Sequence, residues 1–211
     1  MRFEKKYEAI VIGTSAGGLG TLQKILSKLP SDFALPILVV QHRLPAADQF
    51  LSIFLNDVCQ LAVKEADNKE IIKPPMVYVA PSNYHLLVER TKTISLTVDP
   101  KVKYSRPSID ALFETAAEAY LSKLIGIILT GANNDGTAGL KKIKEHGGLT
   151  IAQNPQTAEV SIMPMSAIQA NVVDKVLSLT EMAPFLNQIS DEVKVYERRY
   201  HKLNMEHQSK I

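Results

Sequence analysis

A chain of 211 residues with 45% hydrophobic side chains can fold as one large domain around a substantial core. Its 24 Lys and Arg against 22 Asp and Glu leave a net charge of +2, which argues against bulk attraction to nucleic acid or to a membrane surface. Cys59 is the sole cysteine, which excludes a disulfide framework and a cysteine-based zinc site; it is expected to pack. No metal or cofactor is called for. No apolar run is long enough to span a bilayer and Met1 to Tyr7 hold no apolar signal core, so the expected location is cytoplasmic.

The pattern alternates strand and helix. The apolar run Ala9-Ile10-Val11-Ile12 reads as a strand, and Leu22, Ile25, Leu26 and Leu29 mark a following helix. Ile37 to Val40 reads as a strand buried on both faces. Pro45 and Asp48 introduce an amphipathic stretch expected to turn Phe50, Leu51, Phe54, Leu55 and Val58 inward. Leu61 to Glu65 is a short strand, and Lys73-Pro74-Pro75 is a turn before another at Met76 to Ala80. Tyr84 to Glu89 and Thr93 to Val98 are expected to form a β-hairpin on the otherwise parallel sheet, and Asp99 to Ser105 a polar loop. Ser108 is the expected N-cap of a helix to Tyr120 that buries Leu112, Phe113 and Ala116.

Leu124 to Leu129 is the most apolar strand and ends in the polar loop Thr130 to Gly136. A helix carrying Leu140 and Ile143 stops at Gly147-Gly148, and strands follow at Thr150 to Gln153 and Lys175 to Leu177. Thr180 is expected to cap a last helix in which Met182, Phe185, Leu186 and Ile189 share a face. The expected architecture is α/β: a three-layer, doubly wound, mostly parallel sheet with helices on both faces and a small antiparallel hairpin. The expected division is a catalytic domain at 1–190 and a charged helical extension at 191–211.

The first strand runs into Gly13-Thr14-Ser15-Ala16-Gly17-Gly18, which satisfies G-x-S-x-G, the pattern of a serine held on a tight strand-to-helix turn. Nucleotide patterns fit less well. Gly18 is followed by Leu19-Gly20 rather than Lys-Ser/Thr, Ser15 occupies the second glycine position of a dinucleotide fingerprint, and the second strand ends in Gln41-His42 instead of an acid. In a parallel sheet the C-terminal ends of the strands share one edge. Ser15, His42 and Asp135 follow three such ends, and their chemistry is complementary: nucleophile, base and orienting carboxylate. Each also has a bland reading, with Asp135 as a helix cap and His42 as a hydrogen-bonded histidine at a strand end. The chain order Ser, His, Asp differs from the Ser, Asp, His order of α/β-hydrolases.

With these residues in hand, the chain resembles the catalytic domains of CheB-type chemotaxis protein-glutamate methylesterases from Ala9 to Leu186. The matching pieces are Gly13 to Gly18, Gln41-His42, Tyr78-Val79-Ala80-Pro81, Arg106-Pro107-Ser108-Ile109-Asp110, Leu129-Thr130-Gly131, Asn134-Asp135-Gly136 and Met163-Pro164. The resemblance places the family's triad on Ser15, His42 and Asp135. It implies hydrolysis of glutamate γ-methyl esters on methyl-accepting receptors, with release of methanol, and a capacity for glutamine deamidation. Backbone N–H groups of Ala16 and Ala132 are the candidate oxyanion donors. Thr14, Gly17, Arg43, Arg106 and Met163 are candidate substrate contacts, and Lys101 and Lys103 also lie in loops that can meet an acidic receptor helix. No nucleic acid partner and no membrane insertion are expected.

Two departures stand out. Family members with an attached regulatory domain usually read Thr-Gly-Met-Gly where this chain has Thr130-Gly131-Ala132-Asn133. They also carry a phosphorylatable receiver ahead of the catalytic part, whereas the first strand here lies close to Met1. The resemblance is therefore to free-standing, receiver-less members. A non-catalytic binding or scaffold protein of a signalling complex, built on the same fold, is the alternative reading.

Overall fold

The computed structural model describes residues 7–44 and 49–208, with side chains described as far as residue 200. Pro45 and Asp48 lie outside the described residues. Seven strands form one parallel sheet in the order β3-β4-β2-β1-β7-β8-β9. They are β1 (Ala9–Thr14), β2 (Ile37–Gln41), β3 (Ala62–Glu65), β4 (Met76–Val79), β7 (Leu124–Ile128), β8 (Leu149–Gln153) and β9 (Lys175–Leu177). The order runs outward in both directions from the β1–β7 pair, so the crevice between those two strands is the switch point where α/β folds bind ligands.

The apolar runs of β1, β2 and β7 follow from burial on both faces. Ile10, Ile12, Ile37 and Val39 face a core layer shared with α1 (Gly18–Leu26), α2 (Phe50–Val58) and α6 (Leu179–Gln208). Ala9, Val11, Leu38 and Val40 face the opposite layer, shared with α3 (Ile109–Tyr120), α4 (Thr137–Glu145) and α5 (Ile162–Gln169). β5 (His85–Val88) and β6 (Ile94–Thr97) pair antiparallel and pack Leu86, Val88 and Ile94 into this second layer. Among the described residues no helix is long and apolar enough to cross a membrane.

Two local expectations are corrected, the small antiparallel hairpin is borne out, and one helix is added. The hairpin is a separate two-stranded sheet and adds no strand to the main one, because its apolar face covers the α3 side instead of pairing with an edge. Phe50 is exposed and stacks on half-buried Phe54 at 5.8 Å, while Leu51 and Leu55 carry the inward face of α2. Ser178, not Thr180, caps α6: its carbonyl accepts from Glu181 N–H and Met182 N–H, and its own N–H and hydroxyl donate to Glu181 Oε2 at 2.9 and 2.7 Å. The Glu181 carboxylate reaching back to the Ser178 N–H is one half of a capping box, with the serine hydroxyl donating to the same oxygen. α5 has no counterpart in the sequence reading because its residues are apolar on most sides and carry Pro164, which is tolerated in a first turn.

Cys59 is half-buried against the α1/α2 layer, where burial pushes its thiol up to about 11. Ser108 caps α3 as the sequence requires, accepting from Ala111 N–H. The two helices on that side meet where Gly139 of α4 faces Phe113 of α3: a Cβ on Gly139 would lie 2.3 Å from the Phe113 Cβ. Gly139→Ala is therefore expected to force the helices apart and cost about 1–3 kcal/mol of stability, read by denaturant unfolding.

Candidate active site

Strand register brings the first two site residues together. Thr14 of β1 pairs with Gln41 of β2, so Ser15 and His42 leave neighbouring strand ends side by side, and His42 N–H donates to Thr14 O at 3.0 Å. On the other flank Ser15 N–H donates to Thr130 O at 2.9 Å, tying the serine to the loop after β7. Gly17 completes the turn at φ 76°, a left-handed conformation that favours glycine, and Gly18 N–H closes it onto Ser15 O at 3.0 Å. The serine thus sits at the switch point, at the start of α1.

Asp135 is fully buried and completely occupied. Its Oδ2 accepts from His42 Nε2 at 2.9 Å and Ile109 N–H at 2.8 Å; its Oδ1 accepts from Ser108 Oγ, Asp110 N–H and Gly136 N–H at 3.1, 3.0 and 3.1 Å. Burial acts to raise its pKa, yet the hydrogen bonds from His42, Ile109 and Asp110, with the imidazole's charge, hold the carboxyl below its ordinary value. An ionised acceptor places a proton on His42 Nε2, so that in the neutral imidazole the lone pair lies on Nδ1. The imidazole is 12% exposed. A strand-end serine, a base with a free lone pair and a buried orienting carboxylate are the parts of a nucleophilic acyl-transfer site.

A second carboxylate supports the first. Asp110, in the first turn of α3, accepts from Gly136 N–H and Gly139 N–H at 2.9 and 2.8 Å and pairs with Lys103 at 2.7 Å. Burial, reinforced by the charge of Asp135 and opposed by Lys103 and the Gly139 amide, raises its pKa. Asp135 therefore caps α3 while Asp110 caps α4. The sequence reading missed Asp110 as a site residue, although an acid two residues after the N-cap Ser108 is a visible signal.

Gln41 was also missed. Its Nε2 donates to Ser15 O at 2.7 Å and to His42 O at 3.0 Å, so one amide holds the backbones of both residues. A glutamine closing an otherwise apolar strand was the available hint. Thr14 is buried and donates to Thr130 O at 3.0 Å, and Thr130 in turn donates to Ala16 O at 2.8 Å. Among the described residues, neither the Ala16 nor the Ala132 amide has an acceptor within the chain, and both residues are exposed. Met163 is buried with its thioether against Gly131, where a Cβ would lie 2.5 Å from the Met163 Cε and 3.0 Å from the Ser15 Cβ.

Three of the four basic residues have partners within the chain. Arg43 donates to Glu65 Oε1 and Ala80 O at 2.6 and 2.7 Å. Arg106 grips Asn83 Oδ1 through Nε and Nη2, and the carbonyls of Val98 and Asp99 through Nη1. Lys101 is exposed, and Lys103 is paired with Asp110. His85 is buried in the hairpin, where its Nδ1 accepts from Ser108 N–H at 3.2 Å, so it buttresses the α3 cap.

Residues 10–186 match the family model described as CheB methylesterase. The chain belongs to the CheB methylesterase family. A protein of Leptospira interrogans is 56% identical over 177 residues, covering 84% of this chain and 92% of its own length. The protein-glutamate methylesterase/protein-glutamine glutaminase of Halalkalibacterium halodurans is 41% identical over 177 residues, 82% of this chain but 51% of that protein, so the chain spans about half of that relative. The crystal structure of the Thermotoga maritima CheB methylesterase catalytic domain superposes with a TM-score of 0.83 at 38% identity, covering 87% of this chain and 98% of that one.

Two outcomes test this geometry. Asp135 has a depressed pKa in the folded state, so its contribution to stability is present above its unfolded value near about 4 and is lost as pH falls through the folded value. Asp135→Asn should therefore show a shallower loss of stability below about pH 4 than wild type, measured by urea unfolding at stepped pH. Gln41→Leu should lower esterase kcat by about 10- to 100-fold while the protein stays folded, because Ser15 and His42 lose their common anchor.

Proposed function

We propose that this protein is a serine carboxylesterase that hydrolyses glutamate γ-methyl esters on methyl-accepting receptors in the cytoplasm, with Ser15, His42 and Asp135 as its triad. The observation that carries the reading is the 2.9 Å bond from His42 Nε2 to buried Asp135, on a strand end locked in register beside Ser15. His42 Nδ1 takes the Ser15 hydroxyl proton as Oγ attacks the ester carbonyl. The amides of Ala16 and Ala132 receive the oxyanion, each such donor typically contributing about 3–4 kcal/mol. The protonated imidazole, stabilised by Asp135, gives its proton to the departing methoxide, which leaves as methanol; water then repeats the sequence on the acyl-serine and releases a glutamate carboxylate. A γ-amide carbonyl can occupy the same place, which makes glutamine deamidation the companion reaction, in keeping with the double name of the Halalkalibacterium relative.

The decisive experiment is methanol release from receptor membranes premethylated by their methyltransferase. Wild type should release methanol and Ser15→Ala should lose at least about 10³-fold of that rate. Release that is indifferent to Ser15→Ala would refute the assignment.

A further inference from the structure

The mouth of the site carries an acid that the mechanism does not use. A Cβ built on Gly17 would lie 2.7 Å from both the Cβ and Oε2 of Glu159, so this side chain stands directly over the turn that holds Ser15. Its backbone is fastened there. Val160, the next residue, donates its N–H to Thr130 Oγ1 at 2.9 Å and accepts from Gly131 N–H at 2.9 Å. Thr130 donates to Ala16 O on the same turn. Glu159 is thus strapped to the loop carrying Ala132.

Three of the four cations nominated for substrate contact are engaged with other partners. Arg43 is committed to Glu65, Arg106 to Asn83 and two carbonyls, and Lys103 to Asp110. A site meant to hold a carboxylate would present a guanidinium or ammonium to it. Here the fixed charge over the nucleophile turn is negative.

Resting on the proposed esterase reading, we propose that Glu159 is a specificity-determining residue: its carboxylate favours uncharged γ-ester and γ-amide side chains and repels the free γ-carboxylate. Ester hydrolysis converts a neutral side chain and water into a carboxylate, methanol and a proton. The product therefore gains a full negative charge at the place where Glu159 already provides one. The transient oxyanion differs, because it meets amide N–H groups and the positive end of α1. Glu159 lies where unmodified glutamates would otherwise compete for the cleft, and it hastens departure of the product.

Binding separates this idea from turnover. Two synthetic receptor-helix peptides, identical except for a γ-methyl ester or a free carboxylate on one glutamate, would be titrated into Ser15→Ala and into the Ser15→Ala/Glu159→Gln double variant. Ser15→Ala should bind the ester about 10-fold more tightly than the acid, with the preference shrinking at high salt. The double variant should reduce the ratio to about 1–2 through tighter binding of the acid. A thermal melt reads any separate effect on the start of α1. Equal binding of the two peptides by Ser15→Ala, or a preference that survives Glu159→Gln, would overturn the proposal. Methanol release by wild type judges the esterase reading independently: release with an unchanged ratio would sink the role of Glu159 alone.

Discussion

Two buried carboxylates, each serving the other's helix, hold the site together. Asp135 precedes α4 yet closes the N-terminus of α3, and Asp110 in α3 closes the N-terminus of α4. A negative charge at a helix N-terminus contributes about 0.3–2 kcal/mol, and hydrogen bonds to charged groups about 1.5–3 kcal/mol each. The opposing cost is two like charges buried side by side. Hydrogen bonds and His42 draw the Asp135 proton off, while burial and its neighbour keep Asp110 more basic, with Lys103 balancing the pair from its more exposed side.

The orientation of the imidazole depends on this exchange. Oδ1 of Asp135 is engaged by Ser108, Asp110 and Gly136, so the carboxylate plane is held by contacts that do not involve His42. Only Oδ2 reaches the histidine, shared with the Ile109 amide. The close approach of α3 and α4 at Gly139 keeps the two caps in reach of each other. A helix-packing constraint is thereby also a constraint on the His42 ring.

Much of this was legible in the chain. Strands buried on both faces leave continuous apolar runs, and glycines around a serine after such a run mark a strand-to-helix turn. Ser15, His42 and Asp135 could be singled out because parallel strands bring their C-terminal ends to one edge. Short signals were less dependable. Two cap residues, Ser178 and Thr180, stand two apart, and only the side-chain partner Glu181 decides between them. The hairpin's alternation states that it is paired but not whether it joins the larger sheet. α5 lacks a polar face, so no periodicity announces it.

The sequence by itself determined the α/β class, the order of the strands and of every long helix but α5, the family and the residue types able to carry acyl transfer, because these depend on local pattern and chain order. Tertiary structure decided partnership. Arg43 and Arg106 look like loop cations in the chain, and the fold gives them partners that the chain does not announce, Glu65 for one and carbonyl oxygens for the other. Gln41 became a brace for two backbones, Asp110 a support for Asp135, and Glu159 an acid over the nucleophile turn. The physical reason is that a charge or an amide acts over a few ångströms, and which groups lie that close is set by packing between segments distant in the chain.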